Sequence, residues 1–420
     1  MLFPLQNILT LARRAYTRFM LPTTTHILKC DPSSISFSPS DSLPHVSSEE
    51  TLQALNQASD QLLRGYPVAF PTETVYGLGA LALDEAASAQ IFATKGRPAD
   101  NPLIVHVSSF EMLRSLLPPD YTLPRAYQAL TKHFWPGPLT LLFPCLPSII
   151  PSIITANQKT VAIRMPSHPV ARALIALSNA PLAAPSANSS GKPSPTRAEH
   201  VFRDLQGKIS IVLDGGPCGV GLESTVVDGL HEDGCIRVLR PGGVTVEDIE
   251  QVLREEMPDV VPPPRVLVHR RDYRDEVIEQ APTTPGMKYR HYSPSVPVIL
   301  LNLDAPPSSD VKTLDFEEFL SSLRRFGHHN VVKVGLLAPE DSPIWNYSPP
   351  YDHTQWQRYS MGVSTDPSVA AHRLFDGLLS LEHAGTHVIV IQAFSEEREG
   401  LAIMNRVRKA ASESQWVTLS

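Results

Sequence analysis

The sequence predicts an α/β protein of two domains, a mixed twisted sheet with flanking helices followed by a smaller doubly wound α/β domain. Three observations carry this. A chain of 420 residues is long enough for more than one core. Over its first part, short apolar runs interleave with helical periodicity but without strict βαβ regularity, which suits a mixed sheet. After a proline-rich stretch, strand and helix alternate regularly to the end. The expected organisation is an N-terminal extension over 1–46, a larger α/β domain over 47–256, a linker over 257–297 and a C-terminal domain over 298–420.

Residues 31–46 are rich in Ser and Pro and read as a loose lead-in. Ser47 with Glu50 fits a capping box, opening a helix that runs to Arg64 and stops at Gly65. Pro67–Pro71 is a short apolar strand. Asp84 starts a second helix that ends near Lys95-Gly96. Further strands fall at Pro102–Val107, Leu139–Phe143, Val161–Arg164, Ile209–Leu213, Ser224–Val227 and Ile236–Leu239, with helices near 124–134, 168–178 and 197–206. Pro262-Pro263-Pro264, then Pro282, Pro285, Pro294 and Pro297, mark the linker. In the C-terminal part, Val296–Leu301, Val331–Leu337 and His387–Gln392 read as strands. Asp366-Pro367 is an N-cap followed by Pro at the first helical position, and Glu396–Ala411 is a final helix.

Composition narrows the function. A hydrophobic content of 42% against 19% charged residues supports packed cores and argues against wholesale disorder. The net charge of -7 argues against a general nucleic-acid coat protein. Cys30, Cys145, Cys218 and Cys235 form no CxxC pair, so neither a disulfide framework nor a zinc site is expected, and a reducing compartment fits best. No apolar run is long enough to span a bilayer. From Met1 to Cys30 there is no acidic residue, while Arg13, Arg14, Arg18 and Lys29 are basic. That composition suits a mitochondrial transit peptide, and equally an extension with no address. A second start at Met20 would omit the arginines and give a cytosolic form beside a mitochondrial one.

Several stretches join Gly, Pro, hydroxyls and bases just after apolar strands, where α/β proteins place ligand sites. Residues 71–79 (PTETVYGLG) contain a G-x-G-x-x-A string from Gly77 to Ala82, which alone is a weak dinucleotide signal. Its Thr and Tyr hydroxyls suit a small polar ligand, or merely cap a turn. Lys95 and Arg97 follow a helix and could neutralise a polyphosphate, although bases there also compensate the helix dipole. His106, on an apolar strand, reads by default as a core histidine. Arg164 ends a buried strand and needs a partner, either a ligand carboxylate or an internal Asp or Glu. Residues 184–196 (APSANSSGKPSPT) offer backbone amides, hydroxyls and Lys192 to an anion, but lack the order of a P-loop. Glu223-Ser224-Thr225 and Arg240-Pro241-Gly242 complete the set. Together they describe a crevice of hydroxyls and bases with no cysteine nucleophile or metal cage. Such a crevice suits the positioning and neutralisation of phosphates.

In this order, PTETVYGLG, KGRPADNPLIVHV, WPGPLTLL, VAIRMPSHP, APSANSSGKPSPT, GGPCGVGLESTVVD and VLRPGG resemble the YrdC-type family of L-threonylcarbamoyladenylate synthases. GMKYRHYSP (286–294) and EGLAIMNRVRKAA (399–411) resemble its two-domain form. The resemblance implies a YrdC-like mixed sheet, a Rossmann-like C-terminal domain, and an enzyme that joins threonine, bicarbonate and ATP into threonylcarbamoyl-AMP and pyrophosphate. The adenylate then passes to a tRNA threonylcarbamoyl transferase complex acting on the adenosine beside the anticodon.

Matched motif by motif, Thr74, His106, Arg164 and Ser224 would contact threonine, with Arg164 on its carboxylate. Lys95, Arg97 and Asn101 would meet the ATP phosphates, with Lys95 and Arg97 as the catalytic pair. Thr160, Ser186, Asn188, Ser194 and Arg240 would contact the nucleotide, as would the backbone of Ala184. Tyr289, His291 and Tyr292 lie in the linker that resembles a lid. Mg²⁺ is implied by ATP; with no carboxylate cluster it would ride on the phosphates, and no protein metal site is expected. A monomer is expected, cytoplasmic and also mitochondrial if the leader serves, with at most a weak tRNA contact. Carbamoyl transfer by a related domain and plain RNA binding are the competing readings. The first lacks its CxxC modules here, and the second sits poorly with the acidic net charge.

Overall fold

The computed structural model describes residues 24–38, 43–275, 291–327, 331–347 and 354–419. They fall into two compact units, the second comprising Tyr289–Ser420 with the short segments Gly191–Ser194 and Val220–Leu222. The first unit contains β1 (His26–Lys29), β2 (Ile35–Ser36), β3 (His45–Val46), β4 (Val68–Phe70), β5 (Gly77–Leu81), β6 (Ile104–His106), β7 (Leu139–Pro144), β8 (Thr160–Arg164), β9 (Leu182–Ala183), β10 (Ile211–Asp214), β11 (Thr225–Asp228), β12 (Ile236–Arg240) and β13 (Val266–Val268). Eleven of these form one sheet, ordered β1-β10-β4-β5-β9-β6-β8-β7-β11-β12-β13. Parallel and antiparallel pairs mix: β6 and β8 run parallel, β7 and β8 antiparallel. The strand segment Leu139–Phe143 is buried throughout and apolar except at Thr140, so no alternating pattern survives in the sequence.

Helices cover this sheet. Glu49–Leu63 turns Ala54, Leu55, Ala58 and Leu62 inward, against Val170 and Leu174 of the helix Pro169–Leu177 and Phe70 and Leu213 of the strands. Each fully buried Leu contributes roughly 1.5–3 kcal/mol. The helix begins one residue later than its capping-box reading. Ser48, not Ser47, is the N-cap, accepting from the Thr51 amide over 3.3 Å. Ser47 is already engaged, its amide and hydroxyl both donating to the Ser34 carbonyl.

Two stretches are more ordered than their composition suggested. In the segment read as extension and lead-in, β1 pairs with β10, and β2 with β3 form a small antiparallel ladder. Within the segment read as linker, β13 adds to the sheet edge beside β12. Backbone pairing orders both stretches, and pairing leaves little mark on composition. The helix Val246–Glu256 was not anticipated either, although its capping box, Thr245 with Asp248, is written in the sequence.

The second unit holds β14 (Val298–Asn302), β15 (Thr313–Asp315), β16 (Val332–Ala338), β17 (Thr354–Ser360), β18 (Val388–Gln392) and β19 (Glu413–Thr418). They form one wholly parallel sheet, β15-β19-β14-β18-β16-β17. Ile299, Leu301, Val334, Leu336, Val388 and Val390 meet Phe319 and Leu323 of the helix Phe316–Leu323 in one core. The helices Pro367–His383 and Glu399–Ala410 are mutually packed. This is the Rossmann-like arrangement expected, with β15, β17 and β19 as strands that the sequence left unread.

Candidate active site

The loop joining β4 to β5 carries residues 71–76, and antiparallel pairing of the two strands folds it back on itself. Inside the loop, Thr72 Oγ1 accepts from the amides of Thr74 and Val75, each over 3.2 Å. Tyr76 secures the far end: its hydroxyl donates to the Gly216 carbonyl over 2.7 Å. Gly77 and Gly79 lie within β5, not at the start of a helix, so the G-x-G-x-x-A string makes no dinucleotide cradle. The segment 184–190 is strapped to this region. The Leu78 amide donates to Pro185, the Ala187 amide to Tyr76, and Gly77 bridges Ser186.

Lys95 closes the helix Glu85–Lys95, and Gly96 (φ +61°) is its left-handed cap, a conformation that a side chain would strain. Lys95 is 4% exposed, and its ammonium donates to the carbonyls of Ser186 and Asn188. A helix-end lysine compensating a dipole would point to solvent; this one points into the strapped loop. The Arg97 guanidinium donates to the Asn101 and Pro102 carbonyls over 3.1 and 2.8 Å. Asn101 is 2% exposed, yet both ends of its amide are buried without partners among the described residues. The buried hydroxyl of Thr160 is in the same position. Such orphans cost about 1–3 kcal/mol each unless a ligand pairs them, and a nucleotide offers both donors and acceptors.

A second group assembles across the sheet. Strand register sets His106, Arg164 and Thr140 in one row over β6, β8 and β7. Arg164 Nε donates to the Gly137 carbonyl over 3.1 Å and Nη1 to the Thr74 hydroxyl over 2.9 Å. Its Nη2 meets Glu73 Oε1 at 2.5 Å. The internal carboxylate that a buried strand-end arginine requires is therefore Glu73. The hydroxyls of Thr140 and Ser224 lie 2.7 Å apart, and Arg240 Nη2 donates to the Ser224 carbonyl over 2.8 Å. Gly242 makes that approach possible, since a Cβ there would stand 2.4 Å from the Ser224 carbonyl carbon.

Burial governs the charges. It pushes the Lys95 amine well below its ordinary value, and the Arg97 charge adds to the effect. It also lowers His106 to about 3, with Arg164 assisting, so the imidazole is neutral; its Nδ1 lies 3.2 Å from the Ile104 carbonyl. For Glu73 burial acts in the opposite sense, but Arg164 outweighs it and holds the carboxyl below its usual range. Among the described residues no cluster of three or more His, Cys, Asp and Glu could hold a metal.

Of the residues expected at the site, Thr74, His106, Arg164, Ser224 and Arg240 come together around the row. Lys95, Ser186 and Asn188 form the adjoining group, and the Ala184 amide donates to the Ile104 carbonyl. Thr160 stands at the amino end of β8, four residues from Arg164 and thus about 13 Å along the strand. Parallel register sets it level with residue 102, beside Asn101. Ser194, His291 and Tyr292 belong to the second unit, where the Tyr292 and Phe375 rings pack tilted at 5.2 Å and Tyr292 lies 5.9 Å from the Arg406 guanidinium. Tyr289 lies outside the described residues. Sequence reasoning missed Glu73 and Thr140. The signal for Glu73 was present: a lone acid between two threonines, just after a buried strand.

A strapped loop, buried cations and the buried amide of Asn101, with no covalent nucleophile among them, define an α/β enzyme that works by holding and neutralising anions. The comparisons with known proteins narrow that class. Residues 60–242 match the Sua5–YciO–YrdC family, described as Telomere recombination, and residues 244–412 match the Threonylcarbamoyl-AMP synthase, C-terminal domain. The chain belongs to the threonylcarbamoyl-AMP synthase family, in its two-domain form. It is 45% identical to the threonylcarbamoyl-AMP synthase of Schizosaccharomyces pombe, over 86% of this chain and 89% of that one. It is 41% identical to that of Bacillus subtilis, over 84% of this chain and 92% of the other. The crystal structure of Pyrococcus abyssi Sua5 complexed with L-threonine superposes with a TM-score of 0.71 at 36% identity, covering 94% of this chain and all of that one.

Proposed function

We propose that the chain condenses L-threonine, bicarbonate and ATP into threonylcarbamoyl-AMP and pyrophosphate, for the threonylcarbamoyladenosine of tRNA next to the anticodon. Matches to both halves of a named synthase carry this reading. The threonine ammonium first gives up a proton, and the free amine then forms an N–C bond with the bicarbonate carbon as water leaves. A carbamate oxygen then attacks the α-phosphorus of ATP, and the bond to the bridging oxygen breaks as pyrophosphate leaves.

Arg164 takes the threonine carboxylate, with Thr74, His106 and Ser224 shaping the pocket around it. Neutral His106 adds no second positive charge to compete with Arg164 for that carboxylate. Lys95 and Arg97, with Asn101, neutralise the phosphates. In the protein alone, backbone carbonyls hold the Lys95 amine in place, and a bound phosphate favours the charge that burial disfavours. The backbone of Ala184 and the side chains of Thr160, Ser186, Asn188, Ser194 and Arg240 hold the rest of the nucleotide. Tyr289, His291 and Tyr292 form a lid that keeps water from the carbamate and the mixed anhydride. Mg²⁺ enters on the ATP phosphates, where it offsets charge.

In this reading residues 47–256 are catalytic, 257–297 the linker and lid, and 298–420 the Rossmann-like C-terminal domain. The product passes to a tRNA threonylcarbamoyl transferase complex, with at most a weak contact between tRNA and this chain. The chain acts as a monomer in the cytoplasm, and in mitochondria when its leader is present. No described helix is long and apolar enough to cross a membrane. Pyrophosphate release from ATP and Mg²⁺, with threonine and bicarbonate omitted in turn, tests the reaction. Release should require both. Release without threonine, or none under any condition, would send the assignment back to another acceptor or to RNA binding.

A further inference from the structure

The Arg164–Glu73 pair is buried, with 4% and 13% of the two side chains exposed. Glu73 uses one oxygen on Arg164; the other, Oε2, is buried and accepts no hydrogen bond from any described residue. A buried carboxylate oxygen left bare is expensive, and its natural complement is a cationic donor. None of the groups facing it supplies a cation. His106 is neutral at this position, burial likewise disfavours the charged form of His168, whose ring accepts from the Val170 amide, Thr74 is occupied by Arg164 and Thr72, and the backbone amides of Glu73 and Ser167 are uncharged donors.

We propose that Glu73 is the specificity residue that selects a zwitterionic amino acid, by exchanging ion pairs with it. In the protein alone Glu73 compensates Arg164. When threonine enters, its carboxylate takes Arg164 while its ammonium takes Glu73. The exchange leaves no buried charge uncompensated at either stage, which is why it is cheap. An α-hydroxy acid of the same shape brings a carboxylate but no ammonium, and sets two carboxylates against one guanidinium. An amino acid amide brings an ammonium but leaves Arg164 with Glu73 alone. The proposal rests on the threonine reading of this pocket given above.

Calorimetry on the full chain with L-threonine, its α-hydroxy analogue and threonine amide tests it. The wild type should bind threonine at least tenfold more tightly than either analogue. Glu73→Gln should lose at least tenfold in threonine affinity and hold or gain affinity for the α-hydroxy acid, closing the gap between them. A Glu73→Gln protein that keeps the wild-type ratio would overturn the proposal and leave Glu73 a structural counter-ion. Should that variant fail to fold, Glu73→Asp must still prefer threonine, and a wild type that binds the α-hydroxy acid as well as threonine overturns the idea without any variant. Failure of the underlying pocket assignment is seen separately, as an absence of threonine binding to the wild type or as threonine affinity unaltered in Arg164→Lys.

Discussion

Arg164 Nη1 donates to the Thr74 hydroxyl over 2.9 Å, so one guanidinium joins the end of β8 to the loop between β4 and β5. Removing Arg164 outright would strand Glu73 in a buried site, a loss of about 3–5 kcal/mol that confuses folding with binding. Arg164→Lys keeps the charge and discards the fork. It should fold, with a modestly lowered Tm, and bind threonine at least tenfold more weakly, because a point charge cannot grip a carboxylate bidentately. Calorimetry with threonine checks this, and an unchanged affinity removes Arg164 from the carboxylate site.

The Lys95 ammonium satisfies two carbonyls of the 184–190 segment as well as waiting for a phosphate. Lys95→Met keeps most of the volume and removes the charge, leaving those carbonyls without their donor. Loss of a pre-positioned charge in a buried site lowers the chemical step by about 10²–10³. Pyrophosphate release should fall by that order while threonine affinity stays near wild type. A variant with normal turnover would show that Lys95 only ties the loop.

Most strands and helices were legible because each carried a local mark: Asp84 capping Glu85–Lys95, Gly96 ending it, Pro367 opening a helix. What escaped was pairing over distance. β1 is exposed at three of its four residues, and exists because Ile211–Asp214 lies beside it. β9 is two residues long and owes its place to β5 and β6. At the site, residue types were readable but partners were not. Arg164 at a strand end announced a need for a carboxylate, and only the folded chain, with Glu73 ninety-one positions away, says which one answers it. Tyr292 could be singled out in the linker string, whereas its packing against Phe375 could not.

His106 leaves a signature in the pH dependence of stability. Its folded value lies at about 3, against 6.5 ordinarily, because burial disfavours the imidazolium. Between those two values the unfolded chain holds a proton that the folded protein refuses. Stability is therefore fully present above 6.5 and is lost as pH falls, at up to about 1.4 kcal/mol per pH unit from this residue. His106→Gln keeps a donor for the Ile104 carbonyl and removes the titration. Urea unfolding from pH 7 down to pH 5 should show the wild type losing stability more steeply than the variant. Parallel curves would mean that the imidazole is charged in the folded state.

Gly242 holds the last relationship open to test. A Cβ at this position would lie 2.2 Å from the Glu223 carbonyl oxygen and 2.4 Å from the Ser224 carbonyl carbon, and both are backbone atoms that cannot swing aside. The Gly243 amide donates to that same Glu223 carbonyl over 3.1 Å, so the two segments are pinned together where the clash would fall. Gly242→Ala must push them apart, at a cost of about 1–3 kcal/mol by analogy with overpacked cores. The displacement carries Ser224 away from Thr140 and loosens Arg240 on the Ser224 carbonyl. Two measurements should then move together: a lower Tm, and a threonine affinity several-fold weaker even well below the new Tm. A lowered Tm with wild-type threonine affinity would show that Ser224 keeps its place by other means, and that the glycine serves packing alone.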